Sequence, residues 1–124
     1  MTYDWAAPMT PLWRQARAWC LETLQQARVA PSMGLSLYSC FVAAGLPAPE
    51  LRLECAVAGG AEAFAWCWAN VIRGVLPMME RLGVASATDV QPDTLAERLV
   101  RDVVATDGIV IGPPLVAAWA RMPA

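Results

Sequence analysis

The sequence predicts a helix-rich α/β fold whose sheet is incomplete, and two observations favour it. Segments with helical periodicity and segments with strand character follow one another in the order helix, helix, strand, helix, helix, strand. The last strand, Leu115–Arg121, is apolar on both faces, with Leu115 and Trp119 on one side and Val116 and Ala118 on the other. Strands of this kind usually lie inside a sheet, between two neighbours and between covering layers. The chain contains only one other clear strand to serve as a neighbour.

The composition excludes several classes of protein. The 124 residues suit a single domain, residues 1–124, of which 57% are hydrophobic and 16% are charged, with a net charge of −2. Because no long basic run is present, we expect no nucleic-acid partner. The longest uncharged stretch, residues 108–120, contains Gly112, Pro113 and Pro114, so we expect no membrane span. The N-terminus lacks the basic and apolar regions of a signal peptide.

Histidine, the commonest metal ligand and general base, does not occur in the sequence. Cys20, Cys40, Cys55 and Cys67 are 20, 15 and 12 residues apart and form no CxxC pair, so we expect no zinc site. Their apolar neighbours predict buried, reduced core cysteines, which favours a cytoplasmic location. We assign no catalytic residue.

An extended lead-in, residues 1–10, precedes the first helix. Thr10 can cap that helix, and Pro11 suits its first position. A stripe of apolar residues at helical spacing indicates the helix; it consists of Trp13, Ala16, Cys20, Leu24 and Ala27. A second, short helix is predicted over Leu35–Ala44, ended by Gly45. Its apolar face holds Leu37, Cys40 and Phe41.

Clean alternation over Leu51–Val57 predicts a half-buried strand. Its apolar face holds Leu51, Leu53, Cys55 and Val57. Glu50 and Glu54 share the other face with Arg52, and we interpret them as a solvated sheet edge rather than a catalytic carboxylate pair.

Helical spacing returns from Ala61 to Gly83. The apolar stripe consists of Phe64, Trp68, Val71, Val75, Met78 and Leu82. Gly74 and Pro77 lie inside this stretch. Because Pro77 lacks the amide that would pair with the carbonyl of Arg73, we expect the helix to bend or break between these two residues.

The stretch "TLAERLVRDVVATDG" predicts a further helix. Thr94 and Glu97 fit a capping box. The apolar stripe consists of Leu95, Leu99 and Val103, and Glu97–Arg101 and Arg98–Asp102 have the spacing of exposed charge pairs. A short apolar segment, "IVI", follows and is too brief to flank the whole last strand. Gly112-Pro113-Pro114 then fixes the start of that strand, because proline cannot donate to a strand ladder.

A helix ending in "AAGL", a strand "ELRLEC", a helical insertion and the ending "GIVIGPPLVAAWAR" together resemble the C-terminal half of a class I S-adenosylmethionine-dependent methyltransferase acting on small molecules. The resemblance implies an incomplete Rossmann-like fold with four to five helices. Leu51–Val57 would correspond to strand six, at the sheet edge, and Leu115–Arg121 to the antiparallel strand seven. Residues 61–107 would be the helical cap on the substrate side.

The resemblance does not extend to a cofactor site. In that family a glycine-rich turn after the first strand and an acidic residue ending the second strand hold S-adenosylmethionine. This chain has no G-x-G-x-x-G motif, and its Gly59-Gly60 pair follows the strand that resembles number six. We therefore expect the chain to bind no cofactor itself, with S-adenosylmethionine and a small-molecule substrate implied only for a complete enzyme.

The resemblance places Tyr3, Asp4 and Trp5 near the cofactor and substrate of a whole enzyme, whereas an unsupported terminus is the alternative for the isolated chain. Large apolar residues on the helices could line a substrate pocket, and core packing is the alternative for each of them. These residues are Trp13, Trp66, Trp68, Met78 and Met79. Trp68 and Met78 lie on the predicted stripe, which favours a core position, and Trp66 lies off it.

Three hypotheses for function follow. The first is the substrate-cap portion of a small-molecule methyltransferase, inactive alone. The second is a stand-alone oligomerisation or partner-binding module, and the third is a carrier of a small apolar ligand. We also expect a homodimer through the open edge of the last strand, either by pairing of that strand with its symmetry mate or by exchange of the N-terminal segment "TYDWA".

Overall fold

Two small antiparallel sheets and several helices make up a mixed α/β fold in the computed structural model, which describes residues 3–30, 32–62 and 65–123. The strands are β1 (Ala6–Ala7), β2 (Glu50–Glu54), β3 (Val57–Gly59), β4 (Ile109–Ile111) and β5 (Leu115–Trp119). The α-helices are α1 (Pro11–Gln26), α2 (Leu37–Ala43), α3 (Ala65–Arg81), α4 (Ala87–Val90) and α5 (Pro92–Ala105). Short 3₁₀ helices cover Met33–Ser36 and Gly60–Glu62.

The last strand pairs antiparallel with the strand from the middle of the chain. In this two-stranded sheet Arg52 lies opposite Ala117, and Glu54 lies opposite Leu115. The predicted antiparallel pair is therefore confirmed. The segment "IVI" instead forms β4, the centre of a three-stranded sheet with the order β1-β4-β3. The lead-in thus supplies a strand, but to β4 and not to β5.

The hydrophobic core lies between α1, α3, α5 and the three-stranded sheet. The stripe predicted for α5 is confirmed, because Leu95, Leu99 and Val103 are buried. Trp13 of α1 is also buried, and its indole N–H donates to the carbonyl of Leu99 at 3.2 Å. Within the described part of the chain, none of the helices combines the length and the apolar character that a bilayer span requires.

A second group of elements, the outer layer, consists of β2, β5, α2 and the turn Met33–Ser36, and it buries little. The prediction of one half-buried strand over Leu51–Val57 was wrong. The strand ends at Glu54, all five residues of β2 are exposed, and the chain then enters the other sheet as β3. Because β5 has a single neighbour among the described residues, the expected interior strand is open as well, with Leu115 66% exposed. The predicted apolar face of α2 is likewise not buried.

The helix α3 runs without interruption through Pro77, so the predicted break was wrong. Pro77 is exposed, which leaves the carbonyl that it cannot satisfy near water. The buried face of α3 is also shifted by about one residue in sequence from the predicted apolar stripe. Ile72, Leu76 and Met79 are buried, whereas the predicted Val71, Val75 and Met78 are only partly buried and Leu82 is exposed. Phe64 lies outside the described residues.

Capping and charge pairing around α5 also differ from the prediction. The capping box forms at Ser86 and Asp89 on α4, while α5 begins at Pro92 after Gln91 in a left-handed conformation. Hydrogen bonds from the backbone and hydroxyl of Ser86 lower the pKa of Asp89. Arg98 and Asp102, predicted to pair with each other, contact other groups instead. Arg98 donates to the carbonyls of Val90 and Gln91, and Asp102 accepts from Thr10 at 2.6 Å.

We expect Leu99→Ala to lower the free energy of unfolding by about 2–5 kcal/mol, because the side chain is fully buried and its removal leaves a cavity. Leu53→Ala is the matched control, since Leu53 is 63% exposed and should change stability by no more than about 0.5 kcal/mol. Chemical denaturation followed by circular dichroism measures both. Equal effects of the two substitutions would contradict the assignment of core and outer layer.

Candidate functional site: an apolar groove at Pro113

Two adjoining cavities meet at Pro113, between the core and the outer layer, and we call them together the groove. The inner cavity has a volume of about 240 Å³ and the outer cavity about 490 Å³. The inner cavity is lined by Tyr3, Trp5, Arg17, Cys20, Leu21, Leu24, Trp68, Val71 and Pro113. The outer cavity is lined by Glu54, Cys55, Ala56, Trp66, Cys67, Gly112, Pro113 and Leu115. The outer cavity has the size of a small-molecule site.

Three aromatic rings form one wall of the inner cavity. Trp5 and Trp68 are stacked, with ring centroids 3.7 Å apart and planes 8° from parallel. Tyr3 lies beside them, with its centroid 6.3 Å from that of Trp68. The indole N–H of Trp68 donates to the carbonyl of Ile111 at 2.8 Å, and the amide of Ile111 donates to the carbonyl of Trp5 at 2.8 Å. Both rings are thereby fixed to the central strand β4.

The lead-in is further held by Arg17, whose Nε–H donates to the carbonyl of Tyr3 at 2.8 Å. This contact ties Tyr3 to α1, so the described part of the lead-in is supported by the core. Burial raises the pKa of Tyr3, as do the nearby thiol groups of Cys55 and Cys20 when they ionise, while Arg17 acts in the opposite direction. The Tyr3 hydroxyl therefore stays protonated at neutral pH and can donate a hydrogen bond.

Three of the four cysteines line the groove, and all four are free thiols. Burial raises the pKa of Cys20 to about 11. The prediction of buried core cysteines holds for Cys20 alone, because Cys67 is half-buried and Cys40 and Cys55 are exposed. Cys40 lies on α2, none of whose residues is buried, and Cys55 lies in the connection between β2 and β3. The thiol of Cys55 is within 3.4 Å of the carbonyl of Gly112.

Of the eight residues that the sequence analysis placed near a possible site, four line the groove. Tyr3, Trp5 and Trp68 line the inner cavity, and Trp66, which is 59% exposed, lines the outer one, whereas Asp4 and Met78 line neither. Trp13 and Met79 lie instead in the helical core, where both are fully buried. Their helical spacing is that of core packing, the alternative interpretation given above.

Sequence reasoning missed two features of the groove. Arg17 was not predicted as a site residue. It is a cation between the stripe residues Ala16 and Cys20, and this position is the only sign of its role in the sequence. Pro113 was assigned to the start of β5, and it also lines both cavities. The groove can accommodate an apolar or aromatic small molecule, with the Tyr3 hydroxyl, Arg17 and Glu54 as its polar groups.

Gly59 and Gly60 do not have the surroundings of a cofactor-binding glycine-rich turn. Gly59 and Gly60 lead from β3 into a three-residue 3₁₀ helix, not into the N-terminus of a long helix. The lack of a side chain at Gly59 serves close packing, because a Cβ there would lie 3.2 Å from the carbonyl oxygen of Gly108. Among residues 3–30, 32–62 and 65–123, no group of three or more metal-ligating side chains comes together.

Comparison of the chain with protein-family models, with curated proteins and with solved structures gives no significant match.

We expect Cys20 to resist modification in the native protein, because its thiol is buried and its pKa is raised to about 11, which leaves little thiolate below about pH 9. Cys40, which is exposed, should react at least tenfold faster with iodoacetamide at about pH 8. Peptide mapping by mass spectrometry measures both rates. Equal rates in the native protein would contradict the burial of Cys20, and unfolding in guanidinium, the control, should remove the difference.

We expect Trp68→Phe to lower the free energy of unfolding by about 1–3 kcal/mol, because phenylalanine retains a ring for stacking but cannot donate to the carbonyl of Ile111. Trp66→Phe is the matched control, two residues earlier on the opposite side of the same helix, and its exposed ring should make it nearly neutral. Urea denaturation measures both changes. A Trp68→Phe protein as stable as the Trp66→Phe protein would show that the hydrogen bond contributes nothing.

Proposed function

We propose that the chain is the C-terminal, substrate-facing portion of an S-adenosylmethionine-dependent small-molecule methyltransferase and that it is inactive alone. The observation that carries the proposal is the antiparallel pair β2–β5 with its open edge. In the fold that the sequence resembles, strand seven lies antiparallel between strand six and strand five. Here β2 and β5 pair antiparallel, as strands six and seven would, and the second edge of β5 is unpaired among the described residues.

The two apolar faces of β5 support the same proposal. A strand that is apolar on both sides is typical of the interior of a layered α/β sheet. In this chain such a strand is exposed, because the described residues supply neither a second neighbour nor a full covering layer. A Rossmann-like sheet contributed by further sequence would supply both.

The groove fits the proposed role in binding substrate. Its walls are mainly apolar, and its polar groups lie at particular points, as is usual for sites that bind small molecules. In a complete enzyme S-adenosylmethionine supplies the methyl group. The residues of this chain would exclude water from an apolar acceptor through Trp5, Trp66 and Trp68 and would orient it through the hydroxyl of Tyr3. The proposal includes a cytoplasmic location, which four free thiols support.

We expect the isolated chain to show no saturable heat when titrated with S-adenosylmethionine at millimolar concentration, because it lacks the glycine-rich turn and the ribose-binding carboxylate. Isothermal titration calorimetry measures this, and S-adenosylhomocysteine serves as a second probe. One-to-one binding to the isolated chain would show that the chain contains a cofactor site and would overturn this part of the proposal.

The genomic sequence upstream of the Met1 codon tests the rest of the proposal. An in-frame glycine-rich strand–turn–helix supports a methyltransferase portion. An unrelated gene there would contradict it and would favour the partner-binding module.

A further inference from the structure

The chain exposes more surface than a folded monomer of its size. A monomeric protein of 13.4 kDa is expected to expose about 6,500 Å². This chain exposes 7731 Å², an excess of about 1,200 Å². A standard protein–protein interface removes about 800 Å² from each partner, so the excess is large enough for one stable interface.

Much of the exposed apolar surface lies in the outer layer and its immediate flanks. Its large exposed side chains are Met33, Leu35, Tyr38, Val42, Leu46, Leu51, Leu53, Leu115, Trp119 and Met122. One face of β5 is partly covered, because Gly34 packs against Val116, but Leu115 and Trp119 on the opposite face are exposed. Leu115 and Trp119 flank the open edge of β5 and favour an interaction site there, whereas Leu51 and Leu53 lie on the other face of the sheet.

The two edges of the outer sheet differ in charge. The β2 edge carries Glu50, Arg52 and Glu54, with Arg52 and Glu54 in an ion pair at 3.0 Å. Charged side chains on an edge strand oppose association with another strand. The β5 edge, "LVAAW", carries no charged residue. Of the two edges of the outer sheet, the β5 edge is therefore the one at which a partner strand can pair.

We propose that the occupant of this edge is a second copy of the chain, with β5 paired antiparallel to the partner's β5 about a twofold axis at Ala117. In this register Leu115 lies opposite the partner's Trp119, and Val116 lies opposite the partner's Ala118. Small residues meet at the axis, and a large apolar pair forms on each side of it. Such cross-strand pairs stabilise a sheet, and no like charges oppose one another.

A second copy fits this edge because the strand is self-complementary. One isologous contact uses the open edges of both chains and closes the assembly at a dimer, with strand order β2-β5-β5-β2. Exchange of the N-terminal segment is disfavoured as a geometry, since Ala6–Ala7 pairs with β4 in its own chain and Trp5 stacks on Trp68. The dimer concerns the isolated chain and does not rest on the methyltransferase proposal. In a complete methyltransferase sheet another strand would fill the same edge.

Sedimentation equilibrium of the isolated chain at 1–100 micromolar tests the proposal. We expect the mass of two chains, with dissociation on dilution. A mass of one chain at every concentration would overturn the dimer. It would leave the methyltransferase proposal intact, because that proposal is decided by cofactor binding and by upstream sequence.

Substitutions at the axis test the geometry. Ala117→Asp should weaken dimerisation at least tenfold, because two carboxylates would face one another across the axis, while Arg52 opposite residue 117 in the same chain keeps the monomer folded. Leu53→Asp, on the charged β2 edge, is the matched control and should leave the dissociation constant within about threefold of wild type. An unchanged Ala117→Asp dimer, or equal weakening by both substitutions, would overturn pairing through β5.

Mixing tests the register. Ala117→Lys should also be monomeric, and an equimolar mixture with Ala117→Asp should restore the dimer, because opposite charges then meet at the axis. Circular dichroism of each variant verifies its fold. If Ala117→Lys fails to fold, Ala117→Asp and Leu53→Asp still decide whether the β5 edge is used. Folded variants that do not associate on mixing would overturn the register centred on Ala117.

Discussion

The ring of Trp68 is the contact on which the arrangement of the core depends. It projects from α3, stacks on Trp5 of the lead-in and donates its N–H to Ile111 in β4. Segments that are far apart in the sequence are thereby fixed to one side chain. A large aromatic ring combines extensive burial with one directed hydrogen bond, which is why tryptophan suits this position. The inner cavity is the space left beside the stacked rings.

The hydrophobic core covers the three-stranded sheet and does not extend over the pair β2–β5. Helices α1, α3 and α5 bury the three-stranded sheet. In the described part of the chain the pair β2–β5 is instead contacted by the turn Met33–Ser36, where Gly34 closely approaches Val116 on one face of the pair. The apolar side chains of β5 are therefore largely exposed among the described residues.

The periodicity of side chains predicted those elements whose buried face follows from their own sequence. The stripes of α1 and α5 are visible in the spacing of side chains, whereas the antiparallel pairing of β2 with β5 was expected from the family resemblance. The break at Cys55–Ala56 was not visible, because alternation continues through it and only the different hydrogen-bond partners of β2 and β3 divide the strand. The rotation of α3 was also missed. Its buried face is set by Trp5 and α5, which are distant in sequence.

The residues of the groove were likewise predicted only in part. The resemblance placed Tyr3 and Trp5 near a site, and both line the groove. Trp13 and Met79 were also proposed as pocket residues, but both lie in the core. Helical spacing does not distinguish a pocket wall from a packed interior. Arg17 was missed because its partner is a backbone carbonyl, that of Tyr3, and such a contact leaves no pattern in the sequence. Contacts made through the backbone can be identified only once the fold is known.

The connections between the layers have a consequence for motion. The two sheets are joined through Cys55–Ala56 and Gly112–Pro114, and the outer layer contributes little buried area to the core. Segments with few buried apolar contacts open at a lower free energy than the rest of a protein. The amides of β2 and β5 should therefore exchange hydrogen through local opening while α5 remains closed. Any partner bound to the native outer layer would suppress that opening by mass action, so dilution would loosen this layer before the core.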